Sequence, residues 1–362
     1  MLNIKHVKLL PIHILKINDK ALTDKRSFKM STIKDVARVS KTSVGTVSRY
    51  LNGYPIKDSN RERVESAIEE LDFTINLIAR GLKTNRTNTV GILIPRLSNI
   101  FSTHIIEGME QTFDEHGYSI LVCDSRNDVV KEKEKLRFLK DKLVDGIIMM
   151  PVEDTGEHIK QIQEGGLPIV LVDRLVKDIR CDGVVSDNVN GAYQAIENII
   201  IRGHKRIGII AGPQNIYTAR ERIEGYYRAL RDYNVEVDEN LIIYSDYTQA
   251  GGTKAIERLL KLSIPPTSIF AANYETTIGV IKAMIDKGIM IGQDISIFGY
   301  DQIELSQVIT PPLSLVIQPM DEIGRKAAEL LIKRMRGDYT GFPMICRLKT
   351  EIVVTNSVKK LV

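Results

Sequence analysis

The sequence predicts an α/β protein, with an N-terminal all-α helix-turn-helix head followed by two doubly wound parallel-sheet subdomains. Three observations carry this. Two short capped helical patterns meet at a tight turn between Thr32 and Asn52, and from Thr89 short apolar runs alternate with amphipathic segments. The charge is also split: residues 1–88 hold 17 Lys and Arg against 9 Asp and Glu, and the rest hold 33 against 37. A basic front on a mildly acidic body is the layout of a nucleic-acid-binding head joined to a separate domain. Part of that excess sits in residues 1–29, with 7 basic and 2 acidic residues.

Residues 1–29 show no period, and Leu9-Leu10-Pro11-Ile12 is too short and interrupted for an export-signal core. They read as a disordered extension, or as a mis-assigned start with Met30 as the true one. The head is expected over 30–72. In TIKDVARVSKTSVGTVSRYLN, Thr32 can cap the first helix, with Asp35 completing a capping-box spacing. Ile33, Val36 and Ala37 then share one face. Ser43 can cap the second helix, which turns Val47 and Leu51 inward and leaves Gly45, Thr46, Ser48 and Arg49 outside. Asn52-Gly53 supplies the stop. A third amphipathic helix over about 58–71 carries Val64, Ala67, Ile68 and Leu71. Such a second helix lies in the DNA major groove with its early residues against base edges.

Residues 73–88 read as a linker, with a turn or two of marginal helix from Asn76 to Leu82 and basic Arg80, Lys83 and Arg86 around it. The remaining 89–362 form the core. Strands are expected at Val90–Ile94, Ser119–Cys123, Gly146–Met150, Ile169–Val172, Ile207–Ala211, Leu241–Tyr244, Ile269–Ala272 and Ile295–Gly299, with helices near 103–116, 130–142, 190–202, 218–232, 248–261 and 274–287. Near-continuous apolar strands alternating with helices mean parallel, doubly wound sheets. The number of units is too large for one sheet, so two subdomains are expected. Pro311-Pro312 and the run Leu313–Gln318 read as a late crossover between them.

Catalytic signatures are missing from the sequence. There is no G-x-G-x-x-G after a strand, no phosphate-loop lysine, no H-E-x-x-H and no G-x-S-x-G. Neither an enzymatic activity nor a metal or cofactor is expected. His204 reads as a structural residue at the start of a strand. Cys123, Cys181 and Cys346 lack disulfide or metal spacing, which suits a reducing cytoplasm. Polar residues instead gather where strands end: Asp124, Asp173-Arg174, Asn273 and Asp301, with Arg220 opening a helix after Gly212-Pro213. Carboxyl ends of parallel strands line the ligand crevice of open sheets. Each residue alone is equally explained as a helix cap or surface ion pair, and their repetition points to a cleft between two subdomains.

On these residues the chain resembles the lactose-repressor (LacI/GalR) family over about 31–357. The motifs are TIKDVARVS and TVSRYLN in the head, N-x-x-A-R-x-L in the linker, and AGP, AR-x-R-x-x-G-Y and ISIFGYD in the core. The resemblance implies a helix-turn-helix head, a hinge helix and a core like periplasmic sugar-binding proteins. It also implies a cytoplasmic, nucleoid-associated homodimer that represses transcription and answers to a sugar-like effector. By position it assigns Val44, Gly45 and Arg49 to base edges and Ser43, Thr46, Ser48 and Asn52 to phosphates. Thr32 and Lys83 join the DNA-binding set, Leu82 is the minor-groove wedge, and Asn76 and Ala79 are its hinge companions. The effector set is Phe101, Asp124, Asp173, Arg174, Arg220, Tyr247, Asn273, Asp301 and Gln318. Three positions depart from the family: Lys41 replaces a turn glycine, Ile75 a proline before the hinge, and Tyr274 a frequent aspartate.

Arg174 and Arg220 are both expected to face the cleft, and Tyr274 has removed a carboxylate. That balance favours a sugar acid or sugar phosphate over a neutral sugar, because guanidinium pairs bidentately with such anions. Asp173 and Asp301 oppose this by neutralising both arginines. Two other classes fit less well. A transport-type solute-binding protein predicts an export signal and no basic head, and a glycosidase needs paired carboxylates flanking a bond.

Overall fold

The structure is a computed structural model in which residues 31–73, 86–302, 306 and 308–361 are described. These residues fall into two compact units, the head within the first and the core within the second. The expected extension over 1–29 and the hinge residues Asn76, Ala79, Leu82 and Lys83 lie outside the described residues.

The head contains α1 (Ile33–Val39), α2 (Val44–Leu51) and α3 (Asp58–Glu70). Thr32 and Asp35 form a full capping box at α1. Hydrogen bonds from the Thr32 hydroxyl and amide hold the Asp35 carboxyl down at about 2. Ser43 caps α2 by accepting from the Thr46 amide at 3.1 Å. Val36, Ala37, Val47, Val64 and Ala67 are buried together, with Ile33, Leu51, Ile68, Leu71 and Phe73 packed around them. Past α2, Gly53 takes φ 75°, the Gly53 amide donates to Tyr50 O and the Tyr54 amide to Arg49 O. Those two bonds form a Schellman stop.

The core holds two six-stranded sheets. One contains β1 (Thr89–Ile94), β2 (Ser119–Asp124), β3 (Gly146–Met149), β4 (Ile169–Val172), β5 (Asp182–Ser186) and β11 (Ile345–Leu348), in the order β11-β5-β4-β3-β1-β2. The other contains β6 (Ile207–Ala211), β7 (Ile242–Tyr244), β8 (Ser268–Ala271), β9 (Ser296–Tyr300), β10 (Ser314–Ile317) and β12 (Glu351–Val353), in the order β12-β10-β9-β8-β6-β7. All neighbours are parallel except β10 and β12. Inner strands are almost wholly buried, as in GIIM of β3 and IVLV of β4, because helices cover both faces.

Eleven α-helices are described in all, those of the core being α4 (Ile100–Glu115), α5 (Val129–Asp141), α6 (Glu157–Glu164), α7 (Asn188–Ile201), α8 (Tyr217–Asp232), α9 (Gln249–Leu260), α10 (Tyr274–Asp286) and α11 (Met320–Met335). On the first sheet Ile105, Met109 and Phe113 of α4 pack with Ile323, Ala327 and Leu331 of α11. Fully burying each of these side chains except Ala327 contributes about 1.5–3 kcal/mol. Gly108 and Gly324 let these two helices touch backbone to backbone; a methyl on either would overlap the facing chain.

Several expectations are corrected. Leu313–Gln318 is chiefly a strand of the second sheet, β10, and the expected late crossover follows it, into α11. The chain passes between subdomains three times: after β5 into α7, after β10 into α11, and from β11 to β12. Four strands and two helices escaped the sequence reading. Strand β5 reads DGVVS, opening on a buried Asp and a Gly, and β11 and β12 are short and half exposed. Helix α6 is only eight residues long. Helix α11 has a plain buried face through Met320, Ile323, Ala327 and Leu331, so it was readable.

Candidate functional site

Helix α2 keeps one face of the head exposed. Val44 is 43% exposed, a large apolar side chain at the first helical position. Gly45 is exposed, and a Cβ there would meet only Ser43 Oγ at 3.6 Å. Glycine costs a helix interior about 1 kcal/mol, and packing inside the head does not require it. It leaves room for close approach from outside. Arg49 is exposed, its Nη2 3.4 Å from Pro55 O and its guanidinium 5.9 Å from the Tyr54 ring centre. Thr46 and Ser48 are half buried, and Asn52 is exposed with its amide donating to Ser48 O at 2.7 Å. Thr32 is spent on the α1 cap. One exposed helix thus presents a methyl-bearing, an open and a cationic position in sequence, the groups that read thymine methyls and guanine edges.

In the core, strand ends converge on a buried charged cluster. Asp173 follows β4 and Asp301 follows β9, and both adopt left-handed backbone, φ 68° and 74°. The amide of Asp173 donates to Val184 O of β5, and that of Asp301 to Val316 O of β10. The two subdomains therefore repeat one device, an aspartate turned out of a strand and pinned to the next. Asp tolerates this conformation better than most residues. Asp301 accepts from the Tyr274 amide at 3.1 Å and from Gln318 Nε2. Asp173 accepts from Arg174 Nε at 3.2 Å.

Arg222 lies between them. It donates from Nε to Asn188 Oδ1 at 2.9 Å and from Nη1 to Ala272 O at 2.7 Å, and stacks 3.6 Å over the Tyr300 ring. The Tyr300 hydroxyl donates to the same Asn188 oxygen at 3.0 Å. Burial works against the Arg222 charge, but Tyr300, Tyr247, Asp301 and Asp173 outweigh it and keep the guanidinium charged. Burial pushes the Asp173 carboxyl up, against the pull of Arg174 and Arg222. It also raises the Tyr247 hydroxyl, which sits in the same field. Two aspartates and two arginines share this cluster, so their charges balance. Among the described residues, the buried Tyr247 hydroxyl and Gln318 Oε1 have no hydrogen-bond partner.

The expected effector residues divide accordingly. Asp173, Arg174, Tyr247, Asp301 and Gln318 come together. Asn273 caps α10 through the Thr276 amide, beside the Tyr274 amide that holds Asp301. Three stand apart. Phe101 packs in the apolar core of the first subdomain. The Asp124 carboxylate accepts from the Leu97 and Arg126 amides, tying two loops. Arg220 pairs with Asp154 at 3.0 Å and donates to Gln214 O. Sequence reasoning chose Arg220 and missed Arg222. The signal was helical spacing: Ala219, Arg222, Ile223 and Tyr226 follow the buried face, which Arg220 does not share. Asn188 and Tyr300 were also missed.

Among the described residues no group of three His, Cys, Asp or Glu could hold a metal ion, and no helix is long and apolar enough to cross a membrane. Comparisons with known proteins cover both the head and the core. Residues 32–76 match the family described as bacterial regulatory proteins, lacI family, and 87–345 match periplasmic binding proteins and sugar binding domain of LacI family. The chain is 33% identical over 334 residues to the HTH-type transcriptional repressor PurR of Aliivibrio salmonicida, covering 92% of this chain and all of that one. It is 36% identical over 306 residues to catabolite control protein A of Priestia megaterium, covering 84% and 92%. The structure of a transcriptional regulator CelR–cellobiose complex aligns with TM-score 0.70 and 29% identity, over 90% of this chain and 99% of that one. With a capped helix-turn-helix head, a two-subdomain core that buries a polar cluster, and matches spanning both, the chain belongs to the LacI family of bacterial regulatory proteins.

Proposed function

We propose that this protein is a transcriptional repressor that binds operator DNA as a homodimer, with an affinity set by a neutral sugar held in the core cleft. The observation that carries the effector class is the balanced cluster with two orphaned polar atoms. A buried unpaired polar group costs about 1–3 kcal/mol, and a sugar hydroxyl both donates and accepts. One such ligand would satisfy Gln318 Oε1 and the Tyr247 hydroxyl together. The expectation of an anionic effector loses its support. Arg220 is paired with Asp154, and Arg174 is occupied by Asp173, Pro151 O and Val152 O. A net anion would leave one charge of the cluster unmatched, which is costly in a buried site.

Within the head at 30–72, Val44, Gly45 and Arg49 read base edges, while Ser43, Thr46, Ser48 and Asn52 hold phosphates and Thr32 serves by capping α1. The linker 73–88 acts as a hinge with Leu82 as an apolar wedge, and 89–362 is the effector and dimer core. Two heads on one two-fold axis require a pseudo-palindromic site with half-sites spaced by whole helical turns. Such a regulator works in the cytoplasm on the nucleoid.

The test is thermal stability of the full chain against matched series: a neutral hexose or pentose, its uronic or aldonic acid, and its phosphate. A neutral sugar should raise the melting temperature, and the acid and phosphate should not, since a ligand at about 100 times its Kd stabilises by about 2.7 kcal/mol. Tighter binding of the anion than of the parent sugar would reject the neutral-effector reading.

A further inference from the structure

A second charged group spans the cleft beside the cluster, and it takes in Arg220, which stands apart from the cluster, together with the Arg174 contacts other than Asp173. Asp154 lies on the loop after β3, in the first subdomain. Its carboxylate meets Arg220 Nη2 of α8, in the second subdomain, at 3.0 Å, and Lys177 Nζ on its own side at 3.2 Å. Both ends are held before they meet. Arg220 is fixed by its Nη1 bond to Gln214 O at 3.0 Å. The loop is fixed by Arg174, whose Nη1 donates to Pro151 O at 3.0 Å and Val152 O at 3.2 Å. Glu132, itself buried, accepts the Val152 amide at 2.7 Å and bonds His158 at 2.8 Å.

We infer that Arg220 and Arg174 are positioning residues: through Asp154 they clamp the two subdomains at the spacing that brings Asp173 and Arg222 together. The inference rests on the effector-cleft reading for its functional meaning, though the clamp can be measured without any ligand. The chain makes the coupling short. Arg220 and Arg222 share the first turns of α8, and Asp173 and Arg174 are adjacent, so each side joins a clamp residue to a cluster residue through rigid backbone. Another ionic contact, Arg347 Nη1 to Glu221 at 2.9 Å, also joins the subdomains. It springs from β11, one residue before the chain crosses to β12, where a hinge motion displaces atoms least. The Asp154 loop follows β3, three strands from that edge, where opening separates atoms more. Arg220 and Asp154 are thus the pair that an opening of the cleft must break.

The test uses the full chain with Cys346→Ser and spin labels at Lys133→Cys on α5 and Lys254→Cys on α9, read as a distance distribution by double electron–electron resonance. The parent should show a short, narrow distance. Asp154→Asn, Arg220→Gln and Arg174→Gln should each lower the ratio of short to long distances by about threefold. Arg220→Lys should keep the parent distribution. The double variant Asp154→Asn with Arg220→Gln should open no further than either single one, as expected of partners in one interaction. Raising NaCl to molar levels should open the parent and leave the Arg220→Gln distribution unchanged. Parent-like distances in both Asp154→Asn and Arg220→Gln, or additive opening in the double variant, would overturn the clamp. Failure of every sugar to bind would remove the effector reading and leave these distances as they are.

Discussion

Among the described residues, the Arg49 side chain is held by a long hydrogen bond to Pro55 O and a distant contact with the Tyr54 ring, both solvent-exposed. Exchanging such weak contacts for a base edge therefore costs little. Arg49→Ala is expected to lose about 1–3 kcal/mol of discrimination at one position of each half-site. Lys83→Ala should weaken all sequences alike and reduce the salt slope by about 1. Binding to a panel of operator variants at several salt concentrations separates the two; equal weakening of every sequence by Arg49→Ala would cancel its base-reading role. At this same scale the cleft was partly legible. Asp173 and Asp301 could be picked out because they stand where apolar strands end, and Gln318 only through the family resemblance. Arg222 could not be picked by that rule, since it sits in the middle of a helix turn, and only its place on the buried face of α8 marks it.

The turn between α1 and α2 is where an element carries an unfavourable residue. Lys41 has φ 51°, the left-handed region, at the position where the resemblance expected glycine. A side chain there costs roughly 1–2 kcal/mol, partly offset because glycine would loosen the unfolded chain by about 0.4–1 kcal/mol. Lys41→Gly should stabilise the head by about 1 kcal/mol, seen in the full chain as roughly fivefold slower exchange of the Val36 and Val47 amides. Unchanged exchange would mean the turn carries no strain. The capped helices of the head were readable because caps and apolar spacing are local. Strands β5, β11 and β12 were not, since they hold polar or half-exposed residues whose strand character comes from their neighbours. β11 pairs with β5 across a sequence gap of more than 150 residues.

Across the whole molecule, His204 ties the end of the chain to the second sheet. It is fully buried in the turn before β6, its Nδ1 2.9 Å from Thr267 Oγ1 and its Nε2 3.0 Å from Lys359 O and 3.2 Å from Ser296 Oγ. Burial is the main force holding its imidazole below the ordinary value. The unfolded chain consequently binds a proton that the folded chain refuses. Stability from this residue is complete above about pH 6.5 and is lost as the pH falls through the lowered folded value. The melting temperature of the core should fall between pH 7 and pH 5, and His204→Gln should flatten that fall; an identical slope in the variant would show the proton is taken elsewhere. What the sequence determined by itself was everything set by local chemistry: a basic capped head, alternating parallel-sheet units, and aspartates at strand ends. Tertiary structure alone decided the crossings after β5 and β11, the return of α11 to the first subdomain, and which groups gather around Arg222. Those depend on contacts between residues distant in the chain, where shape and burial choose among side chains that look alike in sequence.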